Sequence, residues 1–337
     1  MTNINLFWSV YKNLENELLT LTKYIHFSDK QLTVYSMHIG DLIVRCAIEI
    51  EAISKALYEQ LGGNMSPVDS DGKNRDLYFD TDCIELLEQQ WHLSQKKLSI
   101  TSISTYFEDE DNLFICPLKK ANKRGTSGCK WKQAYQAIKH NRLESLKMAT
   151  LGNLINALGA LYILNLYYKS DVYELNNSGT NFDDRVGSSF FSVLCYHATG
   201  LSMSYDMDDN NIWTSSKFGL EESLYVMRYT EESYINMHKA FCLDAEITEQ
   251  NFTKSTIIQN YLKEHPESAG KNITQICIEA GGDNLLMSIV SFKHTRKERS
   301  SKVEAIINKH GYIYPPVSYK KALRKILCKK ESKQIRK

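Results

Sequence analysis

The run Lys139-His140-Asn141-Arg142 places one side chain able to trade a proton near neutral pH between two fixed positive charges. This set suits cleavage of an RNA phosphodiester. A neutral imidazole can take the 2′-hydroxyl proton or protonate the leaving oxygen, and a cation offsets charge on the in-line phosphorane. No metal ion or other cofactor is required for that chemistry. The competing reading is structural: a histidine and basic residues at a helix end are favourable simply through the helix dipole and the last carbonyls.

The element that must position these groups is a helix over about Lys130 to His140. Trp131, Tyr135 and Ile138, with Ala134 beside them, recur at helical spacing and form a core stripe. Lys139 lies one position round from Ile138 and His140 about 200° from it, so the two cannot both sit deep in one core. Glu49, on a helix expected over Ile39 to Leu61, is a candidate to orient Arg142 or Lys139 across the bundle. It is equally a structural ion pair, which adds little net stability when buried. Immediately before the helix, Lys119, Lys120, Lys123, Arg124, Lys130 and Lys132 form a basic stretch. With Tyr106, Phe107, Phe114 and Trp131 near in sequence, it is a candidate groove for single-stranded nucleic acid, where bases stack and phosphates meet lysines; a solvated loop is the alternative.

Elsewhere the periodicity predicts a first helix from Leu6 to about Phe27 and a short one from Thr81 to Trp91, capped by Asp82 or Thr81. Leu98 to Phe107 and Leu113 to Leu118, joined by the acidic link Glu108 to Asn112, read as a β-hairpin. A long apolar helix follows from Glu144 to Tyr168. Its asparagines (Asn153, Asn156, Asn165) mark it as a core helix that does not span a bilayer. The polar loop Asn176 to Asp184 is the preferred boundary between a domain over 1–175 and a C-terminal region over 185–337. In the latter, Ser188 to Cys195 and Ser223 to Tyr229 read as strands. Lys254 to Leu262, Ile273 to Ala280, Lys302 to His310 and Tyr319 to Cys328 read as helices. Phe292-Lys293-His294-Thr295-Arg296 echoes the Lys-His-x-Arg spacing, which we treat as coincidence.

The chain has 337 residues, 42% hydrophobic and 24% charged, an ordinary globular composition. The net charge of +1 hides a basic end, where Lys320 to Lys337 holds nine lysines or arginines against Glu331 alone. Such a block suits phosphate or an anionic surface, or is a solvated terminal helix. Eight cysteines are scattered singly, without the local pairs that build zinc sites, so neither a metal site nor a disulfide framework is expected. Reduced thiols, a polar start and no apolar run of membrane-spanning length point to a cytoplasmic protein without a membrane partner. Phosphate-binding loops and the common hydrolase and kinase motifs are absent. The acidic run Asp206 to Asn211 lacks the spacing of a calcium loop.

The succession of an N-terminal helix, the segment Arg45 to Leu57, the segment Trp131 to Arg142 and a long apolar helix resembles the HEPN superfamily of bacterial helical domains. The resemblance covers residues 6–169. It implies a mainly α fold, an up-and-down helical bundle here carrying the inserted hairpin over 98–118, followed by a smaller α-rich or α+β region. It implies a metal-independent endoribonuclease or RNA-binding protein of bacterial stress, toxin or phage-defence systems, often dimeric, with His140 catalytic and Lys139 or Arg142 its cationic companion. The family's arginine precedes its histidine by a short spacer, and those positions here hold Gln133, Ala134 and Tyr135. That departure suits the alternative: a non-catalytic, dimerising module that binds a protein or nucleic-acid partner.

Overall fold

The computed structural model of the chain describes residues 5–175, 181–197, 203–204, 214–215, 219–300 and 302–309. The fold is mainly α, with small sheets. It divides into two compact units that interleave along the sequence. One takes in Met1–Tyr173, Asn181–Arg228 and Ala305–Tyr312, and so has residues on both sides of the boundary expected at 176–184; the other takes in Glu174–Thr180, Tyr229–Glu304 and Ile313–Lys337. The helix expected over Tyr319 to Cys328, the basic end and the Asp206 to Asn211 run lie outside the described residues.

Four helices carry the core of the first unit: α1 (Leu6–Leu21), α2 (Met37–Gln60), α4 (Lys130–His140) and α5 (Leu151–Lys169), with the short α3 (Glu85–Trp91) alongside. Helix α5 packs on α1, α2 and α4, and is buried almost all round, from Leu151 to Tyr167. Its apolar circumference is therefore the signature of a central helix. The Ser36 hydroxyl accepts from Ile39 N and starts α2, and Gly62, at φ 77°, ends it in a left-handed turn that glycine adopts without strain. Gly40 lets α2 approach closely: a Cβ there would lie 3.3 Å from Ala149 Cβ and 3.9 Å from Ile138 Cδ1. Helix α1 is shorter than expected and gives way to β1 (Phe27–Ser28).

The expected hairpin is only partly formed. Strand β2 (Leu98–Ile100) pairs antiparallel with β4 (Phe114–Ile115), but it is the central strand of three, its other edge taken by β6 (Phe191–Val193). Strand β3 (Thr105–Tyr106) leaves to run parallel to β1. The acidic link becomes a one-turn helix, Glu110–Leu113, capped by Asp109, whose carboxylate accepts from Asp111 N. A second sheet has the order β5 (Tyr173–Leu175), β9 (Val303–Ile307), β8 (Tyr225–Tyr229), β7 (Cys195–His197). Val303, Ala305 and Ile307 are buried at alternate positions, so Lys302 to His310 is built around a strand, where a helix was expected.

Buried polar contacts tie distant segments of this unit together. Glu15, on α1, is fully buried and accepts from the Tyr11 hydroxyl at 2.7 Å, from Ser189 N at 3.0 Å, and from Ser188 and Lys12. Tyr167 donates to the carbonyl of Asn308 at 2.7 Å.

The second unit is a cluster of α6 (Glu231–Lys254), α7 (Thr256–Glu264) and α8 (Ile273–Ile289) around Ile258, Ile276, Cys277, Leu285 and Ile289. Helix α8 is kinked at Gly282, whose φ of 69° only glycine takes readily. No helix among the described residues is long and apolar enough to cross a membrane, and no group of three or more His, Cys, Asp or Glu among them converges as a metal site would.

Candidate nucleic-acid interface

Helix α4 begins after Cys129 and is held by its apolar face: Trp131, Ala134, Tyr135 and Ile138 are buried, and Trp131 Nε1 donates to Pro117 O at 2.8 Å. The stripe expected from the sequence is thus core. Lys132 is core as well, at 3% exposure, and this corrects its assignment to a phosphate-binding surface. Its ammonium donates to Asp80 Oδ2 at 3.2 Å, to Ala121 O at 2.8 Å and to Lys123 O. Three acceptors satisfy its three donors. The chain from Leu118 to Arg124 is wrapped around this buried cation, with Lys120 in the left-handed region at φ 63°.

That wrapping distributes the basic stretch. Lys119, Lys120 and Lys130 line a cavity of about 680 Å³ shared with Trp131, Cys116 and Cys129. Lys123 is exposed and reaches Glu85 at 3.8 Å. Arg124 turns to the opposite side and lies over the Tyr78 ring, 3.6 Å from its centroid, while its Nε donates to Asp80 Oδ1 at 3.0 Å. Arg124 and Tyr78 line a larger cleft, about 1050 Å³, whose wall also carries Glu51, Lys55, Gln136 and Lys139. Thr126 and Gln133 line both cavities, and Gln133 Nε2 fixes the loop between them by donating to Thr126 O at 3.2 Å and Gly128 O at 2.7 Å.

Asp80 and Tyr78 were not singled out in the sequence. The helix expected from Thr81 begins instead with one turn of π-helix, Phe79–Ile84, and neither Thr81 nor Asp82 caps α3. Asp82 forms a two-pronged pair with Arg75, both contacts 2.7 Å. Burial alone would raise the Asp80 carboxyl, but the Lys132 charge, the Thr81 N–H and Arg124 outweigh it and hold it below the usual carboxylate range.

The carboxylate facing α4 is Glu51, where Glu49 was expected. The Tyr135 hydroxyl donates to Glu51 Oε1 at 3.2 Å; burial first and the Glu51 charge second hold that phenol above its usual range. Residues two apart on a helix point about 200° apart, so Glu49 lies on the other edge of the buried face. Arg142 pairs with Asp41 at 2.8 Å, both side chains about half exposed, and so is not oriented by Glu49 either.

His140 is exposed on the last turn of α4 and does not line the cleft. It does share the polar face of the helix, one turn beyond Gln136 and two beyond Gln133. Lys139 points into the cleft, with its ammonium 5.5 Å from the Tyr135 centroid. The structure therefore separates the three basic groups: Lys139 lines the cleft, His140 stands at the helix end, and Arg142 is bound to Asp41. Beyond them Leu143 is 93% exposed.

The seven cysteines among the described residues are free thiols. No family model matches the chain, and neither a curated protein nor a solved structure does.

Proposed function

We propose that this chain is a HEPN-like RNA-binding protein that takes a single strand into the cleft beside α4 and cuts it without a metal ion at His140. The observation that carries the reading is the Arg124–Tyr78 stack in a cleft that also holds Lys55 and Lys139. A flat cation on a flat ring offers a platform for a base, and the lysines offer charge to the phosphates on either side of it. A strand leaving the cleft over Gln136 meets His140 one turn later. There the neutral imidazole would take the 2′-hydroxyl proton, the 2′-oxygen would bond to phosphorus, and the bond to the 5′-oxygen would break. The products are a 2′,3′-cyclic phosphate and a 5′-hydroxyl whose proton comes from water. A bacterial stress or phage-defence setting is what the family resemblance adds.

The second reading, a non-catalytic dimerising module, is favoured by the commitment of Arg142 to Asp41 and by Leu143, an apolar side chain set in water beside His140. Incubating the purified chain with total RNA in EDTA, next to His140→Ala, separates the two. Cleavage lost in the variant supports catalysis at His140. Intact RNA with both proteins, together with retained binding of a labelled single strand, would leave the binding reading and remove the nuclease. Absence of both cleavage and binding removes the proposal altogether.

A further inference from the structure

Phe292, Thr295 and Arg296, from the segment that echoes the Lys-His-x-Arg spacing, form one wall of a cavity of about 680 Å³ in the second unit. Its other walls are Phe241, Ala245 and Thr248 of α6 and Ile273 and Thr274 at the start of α8. The wall is held from below. Asp244, 3% exposed, accepts from the backbone N–H of His294 at 3.0 Å and of Thr295 at 2.8 Å, and from the hydroxyls of Ser291 and Thr295, both at 2.8 Å. Thr248 Oγ1 adds a fifth fastening by accepting from Ser291 N at 2.9 Å. With four donors on its two oxygens, Asp244 is spent on shaping this turn and has nothing left for a ligand.

What the turn presents is chemically mixed. Phe292 and Phe241 are 45% and 64% exposed, an unusual state for two large rings on one concavity. Arg296 stands beside them, its guanidinium 5.9 Å from the Phe292 centroid, with no carboxylate partner among the described residues. Asp244, Thr248, Ser291 and Thr295 are engaged in fastening the turn, and the remaining polar side chains of the lining, Arg296 and Thr274, are exposed. Volume, apolar walls and one unpaired planar cation are the features of a small-molecule site, and the guanidinium fork matches a carboxylate in two-pronged fashion.

We propose that this cavity binds a small organic molecule with an aromatic or apolar body and a single carboxylate, the body lying between Phe241 and Phe292 and the carboxylate on Arg296. The site is independent of the RNA reading, since every residue in it belongs to the second unit. The test uses the whole chain and 1-pyrenebutyrate, followed by fluorescence titration and equilibrium dialysis, with 1-pyrenebutanol as the uncharged counterpart. The expected result is saturable one-site binding of the acid, weakened at least tenfold in Arg296→Gln and in Phe292→Ala, with the alcohol binding to the wild type at least tenfold more weakly than the acid. Lys139→Gln is expected to leave the affinity unchanged. The proposal is overturned by a lack of saturable binding, by equal affinity in Arg296→Gln, by equal affinity for acid and alcohol, or by a loss in Lys139→Gln, which would move the site to the cleft of the first unit.

Discussion

The ammonium of Lys132 lies 3.2 Å from the carboxylate of Asp80, across 52 residues of sequence, and both side chains are buried. Removing the carboxylate leaves a cation inside the unit with carbonyls alone for partners. Asp80→Asn is therefore expected to cost about 3–5 kcal/mol, the range for breaking one side of a buried pair, read from urea melts near neutral pH. The folded carboxyl is held below its ordinary range, so its contribution is complete above about pH 4 and lost as pH falls through the folded value. The difference between wild type and variant should shrink in acid. A difference that stays constant down to about pH 3 would count against the pair.

Lys96 offers a second titration that runs in the same direction with pH, from a group whose charged form burial disfavours. It is 1% exposed, and its ammonium donates to Glu221 O at 2.7 Å. Burial pulls its pKa down to about 8, against the smaller upward pull of Glu221 and Glu88. An unfolded lysine titrates near 10.4, so between the two values folding releases a proton, and this group's contribution to stability improves as pH rises. Lys96→Met is expected to be most favourable, relative to wild type, below about pH 8. That advantage should decline by up to about 3 kcal/mol toward pH 10. Denaturation of the two proteins at both ends of this range checks the direction.

For RNA binding, Tyr78→Ala removes the ring beneath Arg124 and should weaken a labelled single strand by about 1–3 kcal/mol, the usual value of one stacked base. Lys139→Gln should instead lower the dependence of affinity on salt, by roughly 0.7 in the slope of the log–log plot if it meets one phosphate of a single strand. Fluorescence anisotropy at several salt concentrations reads both. An unchanged affinity in both variants places any RNA site elsewhere.

At the end of α4, catalysis and stability should separate. His140 is exposed, and His140→Ala is expected to shift stability by no more than about 0.5 kcal/mol while abolishing cleavage. Arg142→Gln breaks a half-exposed pair with Asp41 and should cost up to about 1 kcal/mol. Loss of cleavage in Arg142→Gln at unchanged RNA affinity would show that Arg142 can leave Asp41 to act beside His140.

The sequence showed the helices whose apolar residues recur at one period. The helix expected over Ile39 to Leu61 is α2, whose buried face holds Leu42, Ile43, Cys46, Ile50, Ile53 and Leu57, and Trp131, Tyr135 and Ile138 traced the buried face of α4. It hid what depends on a distant partner. Lys132 stands in a lysine-rich run, and its burial follows from carbonyls and a carboxylate that only the folded chain gathers around it. Glu51 rather than Glu49 faces α4 because it lies on the edge of α2 that carries Gly40, Ala47 and Ser54, a distinction of helical phase that could have been drawn. Helix α6 was missed because its face is mixed: Ala240 and Asp244 are buried while Phe241 and Leu243 are exposed. Strand β9 was mistaken for a helix in a run too short for its period-two burial to stand out.

The grip of Glu15 on Ser188 and Ser189 has a consequence for how the protein is made. Helix α1 leaves the ribosome well before that loop, and its buried acid has no partner from it until 173 more residues have been joined. Tyr167 waits in the same way for Asn308. Throughout that interval the nascent chain carries apolar faces that cannot close, which is when a holding chaperone would have most to do. A helix made early is thus among the last to be finished.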